Sequence, residues 1–142
     1  MPADPARKMI FVLDDDPEMQ IFLSNLLNSA GYHPVIFENG AVELDQIAAD
    51  MPALMIMCVI KYRDNKTRLY KALKEDPVFK QIPVIMLSNI DRKTFFHYQK
   101  IKNPTFGRGL PEPEGFLVKP LEADELLRMV HRLTEKNSAE AL

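Results

Sequence analysis

Residues 9–16 read MIFVLDDD, five apolar side chains running without a break into Asp14, Asp15 and Asp16, with Pro17 next. A run this uniformly hydrophobic, with no polar alternation, suits a strand covered on both faces. The abrupt change to acids marks its carboxyl end. Asp16 followed by Pro17 then opens a helix, because aspartate caps the free N–H groups of a first turn and proline has no N–H to satisfy there. Phe22, Leu23, Leu26, Leu27 and Ala30 recur at helical spacing until Gly31 ends the run. A buried strand therefore feeds directly into a helix.

The same pattern repeats along the chain. Further apolar runs lie at Val35–Phe37, Leu54–Ile60, Val84–Leu87 and Phe116–Val118, and helical patterns follow at 41–49, 67–75, 91–102 and 122–136. The last helix carries Leu126, Leu127, Val130 and Leu133 on one stripe. Strict alternation of strand and helix predicts an α/β domain: a doubly wound, five-stranded parallel sheet with helices on both faces. We expect one domain over residues 9–136, flanked by frayed polar tails at 1–8 and 137–142. The stretch NPTFGRGLPEPEG, residues 103–115, holds three prolines and three glycines and is expected to form a long irregular loop.

Composition narrows the function. A length of 142 residues and 46% hydrophobic content fit one core, and a formal net charge of −2 gives no electrostatic footprint for nucleic acid or an anionic membrane. The single cysteine can make no internal disulfide and is too little for a structural zinc site, which points to a reducing cytoplasm. Residues 1–8 lack the apolar core of a secretory signal, and no stretch approaches the ~18 apolar residues of a membrane span.

Open parallel sheets bind ligands beyond the carboxyl ends of their strands. The residues found there are Asp14 and Asp15 after the first strand, Cys58 at the exit of the third, Ser88 after the fourth, and Lys119 after the fifth.

In order and spacing these motifs resemble the receiver domain of two-component response regulators, from about Met9 to Leu133. FVLDDDPEM resembles the family's acidic pair, PALMIMCVI its phosphoacceptor strand, LKEDPVFKQIPVIMLSN the third helix and hydroxyl strand, and FLVKP the strand that carries the lysine. Gly31, Tyr32 and ENGAVEL follow its second-strand pattern. The resemblance implies a flavodoxin-like (CheY-like) sheet of order 2-1-3-4-5. It further implies that Asp14 and Asp15 hold Mg2+, that Ser88 bonds a phosphoryl oxygen, that Lys119 neutralises its charge, and that Phe116 is the aromatic switch.

The chain departs from the family where the chemistry lies. Cys58 stands at the phosphoacceptor position, and an acyl phosphate requires a carboxylate oxygen there, which in the family also ligates the metal. Magnesium gains little from sulfur, so the metal site is expected to be weak or lost, with no other cofactor. The segment after Cys58 brings in Lys61, Arg63, Lys66 and Arg68, Asn89 would narrow access beside Ser88, and the 103–115 loop is longer than usual.

Each feature also has a plainer reading. Cys58 is either an inert space-filler or a redox or catalytic thiol; neighbouring carboxylates hold a thiol above its reference pKa of ~8.5 and favour the former. Asp14 and Asp15 are either a residual cation site or partners of Lys119, and Asp16 is a helix cap. The basic residues after Cys58 are either a counterion for the acids or a solvated loop. His33, His97 and His131 are too dispersed for a shared zinc site. Phe95, Phe96, Tyr98 and Ile101 are core contacts unless several prove exposed.

The expectation is a receiver-like signalling protein of two-component phosphorelays, not an enzyme, acting by protein binding without phosphorylation at the usual site. Its partner would be a histidine kinase, regulator or output protein. Contacts are expected on the face of the fourth helix, fifth strand and fifth helix, which could also pair two copies, with Phe106, Arg108 and Leu110 of the long loop as candidate contacts. The alternative is a thiol-based redox sensor or small-ligand sensor on the same fold.

Overall fold

Strand β1 (Met9–Leu13) lies inside the sheet, paired in parallel with β2 (His33–Phe37) on one side and β3 (Leu54–Val59) on the other. Strands β4 (Val84–Ser88) and β5 (Gly115–Val118) extend the sheet beyond β3, so the order is β2-β1-β3-β4-β5, all parallel. The helices are α1 (Pro17–Ser29), α2 (Leu44–Asp50), α3 (Asn65–Glu75), α4 (Arg92–Lys102) and α5 (Ala123–Ala141), with a short 3-10 turn at Phe79–Gln81. The computed structural model describes residues 7–37, 42–59, 65–102 and 111–141.

Side-chain parity divides the sheet into two cores. Ile10, Val12, Leu54, Ile56, Ile85, Leu87 and Leu117 pack with Leu23 and Leu27 of α1 and with Leu126, Val130 and Leu133 of α5. Phe11, Leu13, Met55, Met57, Val59, Val84 and Met86 pack with Ile47 of α2, Tyr70 and Leu73 of α3 and Phe95 of α4. Both parities are buried, which is why these strands read as continuous hydrophobic runs. Asp16 caps α1 by accepting from the Glu18 backbone N–H at 3.1 Å. Gly31 follows the helix with φ +93°, a conformation that favours glycine.

Several boundaries differ from expectation. Helix α2 starts at Leu44, not at residue 41: Glu43 takes an extended conformation at its N-cap, and Val42 packs against the second core. Helix α3 begins at Asn65, so Lys66 and Arg68 lie on a helix and not in a loop; Lys61 and Arg63 fall outside the described residues. Gly115 belongs to β5 and not to the loop, because a side chain there would run into the Met129 sulfur of α5 and come within 3.2 Å of Ile85 Cγ1. Helix α5 continues past residue 136 as far as Ala141, through NSAEA, which contains neither glycine nor proline.

Candidate functional site at the strand ends

The parity that builds the first core also builds the site. Asp14 continues the Ile10–Val12 side of β1, Cys58 continues the Leu54–Ile56 side of β3, and Lys119 continues the Leu117 side of β5. The three side chains meet. Lys119 Nζ donates to Cys58 Sγ at 3.1 Å and to Asp14 Oδ2 at 3.4 Å. Asp14 and Cys58 are buried, at 1% and 4% exposure, while the Lys119 side chain keeps 17%. Asp14 is further fixed by the Asp16 N–H, which donates to its Oδ1 at 2.9 Å, and by Gln20 Nε2, which donates to its carbonyl at 2.6 Å.

Ser88 falls on the opposite parity, after Met86. Its buried hydroxyl oxygen accepts from the Ile90 N–H at 3.1 Å, closing the turn into α4. Asp15 is half-buried and Asn89 is exposed. The arrangement suits Mg2+ poorly: one Asp14 oxygen accepts from the backbone, the other faces an ammonium, and the third position is sulfur. Among the described residues no group of three or more His, Cys, Asp or Glu side chains could hold a metal ion.

Electrostatics follow from this packing. Burial pushes the Cys58 thiol up from its ordinary 9.0; the Lys119 hydrogen bond draws it back, Asp14 pushes it up again, and the net direction is upward. Burial draws the Lys119 ammonium down, but its contacts with Cys58 and Asp14 outweigh this and hold it above 10.5. A thiol stays protonated at neutral pH, so Asp14 is the charge that holds Lys119 there.

A group whose folded pKa is raised lends stability that is complete below its unfolded pKa and is lost as pH rises through the folded value. Stability should therefore begin to fall above 9.0, where the unfolded thiol ionises. Burial also pushes Tyr70 upward from 10.0. In Cys58→Ala the decline should start nearer 10.0, as urea denaturation across this range would show. Alkylation of Cys58 at neutral pH should run at least ~10-fold slower in the native protein than in urea, where burial and Asp14 no longer suppress the thiolate; equal rates would show the sulfur to be open.

Phe116, at the switch position, is half-buried and lies against Phe95 and Phe96, with ring centroids 5.9 and 6.2 Å apart. Phe95 is fully buried and Phe96 and Tyr98 partly so, which makes these α4 aromatics largely core contacts. A groove of about 790 Å³ beside them is lined by Arg92, Lys93, Thr94, Phe96, His97 and Glu112.

The anchoring of the stretch before β5 was not among the expectations. Tyr70 OH donates to the Pro111 carbonyl at 2.7 Å. Glu114 accepts from Lys74 Nζ at 2.7 and 3.0 Å and from the Val84 N–H at 2.7 Å, and Arg92 pairs with Glu112. The available hint was Tyr70 on the apolar face of α3, whose hydroxyl needs a partner once buried. Phe106, Arg108 and Leu110 lie outside the described residues.

No family model matches the chain. Over 83 residues it is 30% identical to Histidine kinase P4 of Formosa agariphila, a stretch that is 58% of this chain and 6% of the kinase. A putative response regulator from Chloroflexus aurantiacus is 26% identical, with a TM-score of 0.66 over 91% of this chain and 98% of that one. The signal receiver domain of a histidine kinase from Syntrophus aciditrophicus superposes with a TM-score of 0.73 at 22% identity, covering 91% of each chain. A CheY-like receiver domain from Methanospirillum hungatei gives 0.71 at 19% identity over 95% of this chain and 99% of that one. By its strand order and the likeness of these structures, the chain has the CheY-like receiver fold. No described helix is long and apolar enough to cross a membrane.

Proposed function

We propose that the chain is a receiver-type module of two-component signalling that works through protein contacts, without phosphorylation at its third strand and without enzymatic activity of its own. The observation that carries this is the Lys119 contact with Cys58 and Asp14. The lysine expected to meet a phosphoryl group is instead held by a protonated thiol and a backbone-fixed carboxylate, and no oxygen nucleophile stands on β3 at that point. The reading places the protein in the reducing cytoplasm, with a histidine kinase, regulator or output protein as partner and no nucleic acid.

The partner surface in this reading is α4, β5 and α5, which would also serve for pairing two copies. Phe116 supports a fixed surface there. Swinging its ring away from Phe95 and Phe96 would expose apolar area and, unlike a tyrosine, gain no hydrogen bond in water. Immobilised protein challenged with extract of the source cells, with and without acetyl phosphate and Mg2+, should retain the same partners. Retention only after acetyl phosphate treatment would overturn the proposal.

A further inference from the structure

Cys58 and Lys119 form a pair whose chemistry the signalling reading does not use. The sulfur and nitrogen lie 3.1 Å apart at the ends of β3 and β5, and the chain has no second cysteine. A sulfenic acid that meets a thiol closes a disulfide, and one that meets a backbone nitrogen can condense to a sulfenamide; a deprotonated amine offers the same lone pair. Here the amine nitrogen is already in contact with the sulfur. We propose that Cys58 and Lys119 form an oxidation site, in which a hydroperoxide converts the pair into a covalent sulfur–nitrogen link between β3 and β5.

The chemistry balances in two steps. The Cys58 thiol and hydrogen peroxide give the sulfenic acid and one water; the sulfur is oxidised and the peroxide O–O bond is cleaved and reduced. Lys119 then releases one proton to solvent, and its nitrogen lone pair attacks the sulfur. The S–O bond breaks, its hydroxyl departs as a second water with one of the two protons left on the attacking nitrogen, and a sulfenamide S–NH link remains. The protein loses two hydrogen atoms and gains no oxygen.

Access is consistent with this order of events. The Lys119 side chain is the partly exposed member of the pair and Cys58 keeps 4% exposure, so a small peroxide needs less opening to reach the sulfur than a bulky alkylating reagent. The scarce thiolate makes the reaction slow but leaves the sulfenic acid beside one nucleophile. Asp14, which accepts from Lys119 Nζ at 3.4 Å, keeps that nucleophile in register.

The test is peroxide treatment of the native protein followed by peptide mapping. The eight methionines take up oxygen under the same treatment, so intact mass alone does not report the link. Trypsin spares Lys119 because Pro120 follows it, so the link must be read by tandem spectra from a Cys58 peptide joined to a Lys119 peptide. The expected result is that joined species, short by two hydrogens and separated again by dithiothreitol. In Lys119→Arg, whose guanidinium keeps the charge but is a far poorer nucleophile, dimedone should instead trap a sulfenic acid at Cys58. Wild-type Cys58 that gains oxygen while Lys119 stays free, or that remains a thiol while the urea-unfolded protein oxidises, would overturn the proposal; it rests on the wild type alone should the variant not fold.

Discussion

Lys119→Met is expected to lower the stability of the protein by about 3 kcal/mol at neutral pH, the low end of what breaking a buried ion pair costs. Asp14 is 1% exposed and cannot turn to water, because the Asp16 N–H holds one of its oxygens. Methionine fills the space of the lysine stem and leaves the carboxylate facing an apolar group. Asp14→Asn in the Lys119→Met background should recover most of the loss, since an amide is far less costly to leave unpaired than a charge. Urea denaturation of the two single variants and the double variant measures this. A loss under about 1 kcal/mol in Lys119→Met would mean that the pair behaves as a surface contact.

Tyr70→Ala should be at least as damaging, at about 3 to 5 kcal/mol, because it removes a fully buried ring from the second core together with the anchor of Pro111. Tyr70→Phe separates the two contributions. It keeps the ring and leaves the Pro111 carbonyl without its partner, at a cost of about 1 to 2 kcal/mol. Thermal unfolding of both variants reads the difference. A neutral Tyr70→Phe would show that residues 111–114 are held by Glu114 and Glu112 alone. Their contacts with Lys74, Val84 and Arg92 already make this part of the long loop structural and not decorative.

The fold was legible wherever burial imposes one residue class on both faces of an element. β1 and the start of α1 followed from MIFVLDDDP, because two-sided burial admits only apolar residues and Asp16–Pro17 is a self-contained helix start. Elements fixed by tertiary contact were harder to read. α3 begins two residues before the expected Thr67, in the polar stretch NKTR, and Gly115 joins β5 because Met129 and Ile85 press on it from elsewhere in the chain. At the site, the residues at the strand ends and the pairing of Asp14 with Lys119 were readable, but the separation of Ser88 from them was not. Asp14, Cys58 and Lys119 share a parity, and Lys119 contacts both of the others, whereas Ser88 falls on the other parity and closes its own turn. The Tyr70–Pro111 bond joins residues 41 apart, a separation at which no local pattern specifies a partner.

The most direct test of the account is the mass of the protein after incubation with acetyl phosphate and Mg2+. The account predicts no change, since β3 ends in a thiol that is buried, protonated and hydrogen-bonded to Lys119. A gain of one phosphoryl group that disappears in Cys58→Ala would contradict it.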